Sequence, residues 1–315
     1  MTAPFADRLD AAIARTGSPC CIGLDPRLDW LPARLRSSLL VRPTAPAIAR
    51  AVIELHRRIL PRLAPIVPIV KPQLAFFEQL GAPGIEAYED LVRRARELGL
   101  LVIADAKRGD IGTTADAYAR AFLGGVAFHG TDVSPPPADA LTVQPYFGTD
   151  GVQPFLDACD RTGGGLFVLA KTSNPSASEI QDLPTGKRRV VDVVAEAIAR
   201  WGEPRVASCG YSSVGAVVGA TQPRDVQALR SLMPRAIFLL PGYGAQGGTA
   251  DDVVGAFDAR GRGALVVAAR SVYFAYRRND GSEVDDFESA VESAARAMTR
   301  EIQAALARAG KPCST

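Results

Sequence analysis

Short apolar runs alternate with amphipathic stretches along nearly the whole chain. Eight runs read as strands: CCIGLD (20–25), IVPIVK (66–71), LLVIADAK (100–107), ALTVQ (140–144), LFVLAK (166–171), AVVGAT (216–221), AIFLLP (236–241) and ALVVAAR (264–270). Helical patterns lie between them. In AIARAVIELHRRIL, Ile48, Val52, Leu55 and Ile59 share one face. GIEAYEDLVRRARELG, TADAYARAFLGG, RRVVDVVAEAIARWG and PRDVQALRSLMP read the same way. The opening MTAPFADRLDAAIARTG places Phe5, Leu9, Ala12 and Ile13 near helical spacing. A last helix, near 284–309, carries Phe287, Val291, Met298, Ile302 and Leu306 before Gly310 and Pro312 stop it. Eight strand–helix repeats predict one (β/α)8 barrel domain over residues 1–315, with an extra N-terminal helix. A doubly wound open sheet is the structural alternative, but it usually needs fewer strands, and no GxGxxG follows the first run. Two excursions leave the barrel pattern. Residues 128–140 (FHGTDVSPPPADA) hold a triple proline that fits neither a helix nor a central strand. Residues 172–187 (TSNPSASEIQDLPTGK) form a long polar loop of the kind that often serves a site.

Composition narrows the function. The chain has 315 residues, 47% hydrophobic and 22% charged, and a net charge of +2 with both signs interspersed. No basic block suggests a nucleic-acid or membrane surface. No apolar run reaches membrane-spanning length, and the N-terminus lacks a basic-then-apolar leader layout. The five cysteines, Cys20, Cys21, Cys159, Cys209 and Cys313, show no CxxC spacing and read as free thiols of a reducing cytoplasm. With only two histidines, His56 and His129, a histidine-based metal site is not expected.

In a barrel of this kind the chemistry sits where the strands end. Strand one ends at Asp25, strand two at Lys71, strand three at Asp105 and Lys107 with Asp110 just beyond. Strand five ends in Thr172, Ser173 and Asn174, strand seven runs into PGYGAQGGT with Gln246, and strand eight ends at Arg270. Alternation puts Asp105 and Lys107 on one face of strand three, beside Lys71. Charges at the mouth of an apolar strand are costly unless paired or working, and buried pairs alone are weak evidence even for stability. The glycines at 242, 244, 247 and 248 allow backbone N–H groups to approach an anion, with Arg270 as its clamp. A small phosphorylated substrate is the expectation.

These residues resemble the orotidine 5′-phosphate decarboxylase family. The most specific element is the DxKxxD string, here DAKRGD (105–110), supported in order by KPQLAFFEQLG, TVQPYFG, KTSNP, PGYGAQGG and ARSVY. The wording and the added length look like the longer bacterial branch. The resemblance implies decarboxylation of orotidine 5′-phosphate to UMP in pyrimidine biosynthesis, with no cofactor and no metal. It implies that Lys107 is the ammonium beside C6, which stabilises the carbanion and then protonates it. Asp105 and Asp110 hold that lysine, and Lys71 completes the network. It further implies substrate contacts from Asp25, Ile111, Thr114, Ser173, Pro241, Gln246 and Arg270. In the family the second aspartate comes from the partner of a homodimer, so Asp110, Ile111 and Thr114 would complete the neighbour's site. Tyr243 is either a cover for the ligand or plain packing. His56 reads as a core residue, His129 has no assigned role, and Asp150 and Gln153 read as helix-capping residues. Two other readings remain: a sugar-phosphate enzyme on a related barrel, disfavoured because Lys71 stands where those place a metal-binding acid, and a non-catalytic nucleotide-binding barrel.

Overall fold

A computed structural model describes residues 2–39, 43–220, 223–244, 247–278 and 280–312. Eight strands form its centre: β1 (Cys20–Leu24), β2 (Ile69–Pro72), β3 (Leu101–Arg108), β4 (Ala140–Val143), β5 (Gly165–Lys171), β6 (Ser212–Val218), β7 (Ala236–Pro241) and β8 (Ala264–Ala268). They pair in parallel in the ring order β1-β8-β7-β6-β5-β4-β3-β2 and close on themselves. The longer helices are α1 (Phe5–Thr16), α2 (Ala45–Leu63), α3 (Ala82–Glu97), α4 (Gly112–Leu123), α5 (Gly148–Thr162), α6 (Val190–Gly202), α7 (Pro223–Leu232) and α8 (Phe287–Arg308). The (β/α)8 expectation holds.

Two apolar layers follow from strand alternation. Cys21, Ile69, Ile103, Phe167, Leu239 and Val267 fill the interior of the barrel. Ile22, Val70, Val102, Val168 and Val266 face outward onto Val52, Leu91 and Val291 of the helices. Helix α1 is the exception to the layering, because it lies across the barrel's N-terminal face. Phe5 and Leu9 join the interior cluster, and the Phe5 ring meets Phe167 edge-on at 5.8 Å. Gly165 makes room for it: a Cβ there would lie 2.3 Å from the Phe5 ring. Polar ties hold α1 to residues just ahead of the strands. Arg8 pairs with Asp139, Asp7 accepts from the Cys209 amide at 2.8 Å, and Arg15 donates to the Gly99 carbonyl at 2.8 Å.

Several boundaries differ from the sequence reading. Strand β6 begins at Ser212, not at 216. Ser212 and Ser213 mask the strand in the sequence, yet both are buried with their hydroxyls satisfied: Ser212 donates to the Gly202 carbonyl at 2.9 Å, and Ser213 accepts from the Ala6 amide at 3.2 Å. Helix α5 escaped the pattern because its sequence opens on glycines and carries Pro154 inside. The excursion at 128–140 contains part of a small antiparallel hairpin, Ala127–Phe128 with Thr131–Asp132, and its last residue, Ala140, already belongs to β4. The 172–187 segment is not a plain loop. It holds helical turns at Pro175–Ala177 and Ser178–Gln181, then one arm of a hairpin, Pro184–Thr185, which pairs with Arg188–Arg189. Among the described residues, no helix is long and apolar enough to cross a membrane.

Candidate active site

The C-terminal ends of the strands surround a cavity of about 450 Å³. Its size is that of a small-molecule site. Asp105 of β3 lies at its base, buried, and its carboxylate accepts from four donors. Lys71 Nζ (2.5 Å) and Gln73 Nε2 (3.1 Å) reach Oδ2. Lys107 Nζ (2.6 Å) and Thr142 Oγ1 (3.0 Å) reach Oδ1. Three strand ends and the residue after β2 therefore converge on one carboxylate.

Local backbone geometry places Lys107. Strand β3 pairs with β4 at Ile103–Ala140 and Ala104–Leu141, then only again at Arg108–Val143. Within this irregularity Lys107 takes a left-handed φ of 49°, and its amide donates to Thr142 Oγ1 at 3.0 Å in place of a ladder bond. A non-glycine residue held there is strained, a condition that tends to mark functional positions. The result is an ammonium supported from below by Asp105 yet 44% exposed to the cavity, whereas the Lys71 side chain is 8% exposed.

The electrostatics sort the two aspartates. Burial pushes the Asp105 carboxyl up, but Lys71 and Lys107 outweigh it and hold the group below the usual carboxylate range, firmly ionised. Burial of Lys71 works against its charge, and the carboxylates of Asp105 and Asp25 more than offset it, so its pKa is raised. Asp25, just past β1, is different. Burial dominates over the attraction of Lys71, and its pKa is raised. Its Oδ1 is buried with no hydrogen-bond partner among the described residues. Asp25 as a residue lines the cavity, so its carboxylate stands beside any ligand held there.

Other expected residues also meet here. Ser173, Pro241 and Arg270 line the cavity, as do Thr172, Asn174 and Gly242. Arg270 opens the short helix Arg270–Tyr273 after β8. Gln246 lies outside the described residues. The glycine-rich turn after β7 differs from expectation. The amides of Gly244, Gly247 and Gly248 donate to the carbonyls of Gly248, Gly244 and Gly242, so these three N–H groups close the turn on itself instead of pointing at an anion. Tyr243 does not cover the site from outside. It is buried in the wall, with its hydroxyl donating to Glu301 of α8 at 2.6 Å.

Asp110, Ile111 and Thr114 are absent from the lining of this chain's own cavity. The Asp110 carboxylate accepts from the Ile111 amide at 2.8 Å, and Ile111 and Thr114 are exposed. His56 is a core residue, its ring 5.9 Å from those of Phe77 and Tyr273 and its Nε2 2.9 Å from the Tyr273 hydroxyl. His129 is exposed, beside the Phe128 ring at 4.4 Å. Asp150 and Gln153 are not caps: both lie inside α5, Asp150 in its first turn and Gln153 donating to Asp157 at 2.7 Å. Cys20, Cys21 and Cys159 are buried, Cys209 is partly buried, and Cys313 lies outside the described residues. Two contributors were not singled out from sequence, Gln73 and Thr142. Thr142 could have been found as the one hydroxyl inside the apolar run ALTV.

A family model described as orotidine 5′-phosphate decarboxylase / HUMPS matches residues 19–284, a span from just before β1 to past β8 that includes every strand end just described. The chain belongs to that family. Similar proteins named orotidine 5′-phosphate decarboxylase come from Rhodopirellula baltica, 47% identical over 95% of this chain and 97% of that protein, and from Deinococcus radiodurans, 42% identical over 97% and 99%. Among solved structures, the OMP decarboxylase of Leishmania donovani superposes with a TM-score of 0.70 at 31% identity, covering 96% of this chain and 98% of that one.

Proposed function

We infer that this chain is a carboxy-lyase that decarboxylates orotidine 5′-phosphate to UMP in pyrimidine biosynthesis. Membership of the family, with relatives of that name matched over nearly their full length, supports the reading. The observation that carries it in the structure is the Lys71–Asp105–Lys107 array at the mouth of the barrel.

Loss of CO2 from C6 leaves a carbanion in the plane of the pyrimidine ring, where the π system cannot spread the charge. Preorganised positive charge is then the main resource. Lys107 supplies it, because its ammonium is fixed by Asp105 before substrate arrives and needs no reorganisation. The same group delivers the proton to C6 as a general acid. Asp105 faces the departing carboxylate and stays ionised. The Asp25 carboxylate accepts from a ribose hydroxyl, Ser173 reads the pyrimidine edge, and Arg270 pairs with the phosphate. Pro241 packs against the ligand, and Gln246 is assigned to the base and phosphate by family resemblance. No cofactor enters this scheme. The sugar-phosphate alternative is disfavoured by Lys71, whose ammonium occupies the position where those enzymes place a metal-binding acid.

The active unit is a homodimer. Lys107 pairs with one carboxylate among the described residues, that of Asp105, while Asp110 is absent from the lining of its own chain's cavity. Near Asp110 the surface carries Ile111 and, in the turn before α5, Tyr146 and Phe147, exposed by 57%, 86% and 46%. Apolar groups of that size in one region fit a subunit contact. The protein is assigned to the cytoplasm, with no nucleic-acid or membrane partner. Purified protein given orotidine 5′-phosphate should release UMP and CO2, and Lys107→Ala should cut kcat by about 10²–10⁴-fold or more. Tight UMP binding without turnover by the intact chain would overturn the reading.

A further inference from the structure

A second charge network, centred on one buried ammonium, stands at the end of β5, next to the site. Lys171 is the last residue of β5, and its side chain is 1% exposed. Its ammonium reaches both oxygens of Asp182, at 2.6 and 2.7 Å, and lies 3.9 Å from Asp225 at the start of α7. Arg189 bridges the same two aspartates, at 3.2 and 2.9 Å. A fully buried ammonium is expensive unless carboxylates surround it, so the sequence accepts a cost here that an apolar residue would avoid.

The network ties together two points eleven residues apart. Between them, residues 172–181 leave the barrel and return. A second tie sits beside the first: the Thr172 amide donates to Gln181 Oε1 at 3.0 Å, and Gln181 Nε2 donates to Thr172 Oγ1 at 2.7 Å. The Thr172 hydroxyl in turn donates to Asn174 Oδ1 at 2.6 Å. The segment is thus an Ω-shaped loop pinched at its base. Thr172, at the pinch, is the immediate neighbour of Ser173, and Thr172, Ser173 and Asn174 line the cavity.

We propose that Lys171, Asp182 and Gln181 are positioning residues that hold Ser173 at the pyrimidine edge, so that this clamp sets recognition of the base as distinct from recognition of the ribose phosphate. The proposal rests on the reading of Ser173 given above. A loop free at its base would let Ser173 drift, and a displacement of about 1 Å at a reading group costs up to about 100-fold. Arg270, assigned to the phosphate, follows β8, three strands round the ring from β5.

The test compares dissociation constants for UMP and ribose 5-phosphate in the whole protein. Gln181→Leu, Asp182→Asn and Lys171→Met should each weaken UMP by about 10-fold or more and ribose 5-phosphate by less than about 2-fold. With orotidine 5′-phosphate, KM should rise more than kcat falls. Lys171→Met risks misfolding, so Gln181→Leu, which leaves the buried charges intact, decides if it does. Equal weakening of both ligands, or of neither, overturns the proposal. Ser173→Ala separates the two levels of inference. If it shifts the UMP to ribose 5-phosphate ratio and the clamp variants do not, the clamp falls alone. If it leaves the ratio unchanged, the assignment of Ser173 falls and the clamp's purpose with it.

Discussion

Lys107 shows how much a single residue can carry. Its left-handed backbone, its amide on Thr142 and its ammonium on Asp105 fix the side chain from both ends. The residue type was legible in DAKRGD; the strain was not, because no sequence pattern calls for a lysine at positive φ. Gln73 and Thr142 were missed for a related reason. Their roles depend on which atoms β2, β3 and β4 bring to one carboxylate, and that is a three-dimensional fact. His56 makes a different kind of prediction. Burial lowers its pKa from 6.5 to about 3. The unfolded chain therefore takes up a proton as pH falls through about 6.5, while the folded chain stays neutral until about 3. Stability falls across that window, by about 2 kcal/mol at pH 5. His56→Gln should lower the melting temperature at pH 7.5 but give a shallower decline from pH 7.5 to 5, read by scanning fluorimetry. Parallel profiles would refute this account of His56.

At the scale of elements, the sequence exposed strands whose burial is uninterrupted and obscured those whose burial needs help. Six of the expected runs overlap their strands closely; the run for β2 started three residues early, and β6 was shifted because its first residues are serines. Their hydroxyls are satisfied by Gly202 and Ala6, and neither partner is visible from the local pattern. The same strand contains Gly215, where a Cβ would come within 2.4 Å of the Ile237 carbonyl oxygen of β7 and 2.8 Å of the Phe167 ring. The obstruction is backbone on one side and a buried ring on the other, so little can give way. Gly215→Ala should cost about 1–3 kcal/mol or more, seen as a lower melting temperature by calorimetry. An unchanged transition would mean that β6 and β7 can separate at that point without loss.

For the whole molecule, the proposed dimer carries a prediction about shared chemistry. If Asp110 serves the neighbour, then Lys107→Ala and Asp110→Ala chains, each nearly inactive alone, should regain part of the activity when co-expressed. A mixed dimer would hold one doubly altered site and one native site, for at most half the wild-type activity per dimer. Mixed dimers verified by mass that stay inactive would place Asp110 in its own chain's chemistry or outside it altogether. None of this was readable from periodicity, because a partner would leave no repeat in the sequence; among the described residues, the exposed Ile111, Tyr146 and Phe147 fit the proposed contact.

The N-terminal helix has a consequence for traffic. Because Phe5 and Leu9 seal the floor of the barrel, the reaction chamber is a well and not a tunnel. On the proposed mechanism, carbon dioxide released above Asp105 leaves by the opening that admitted the substrate. On that scheme the gas and UMP share one doorway.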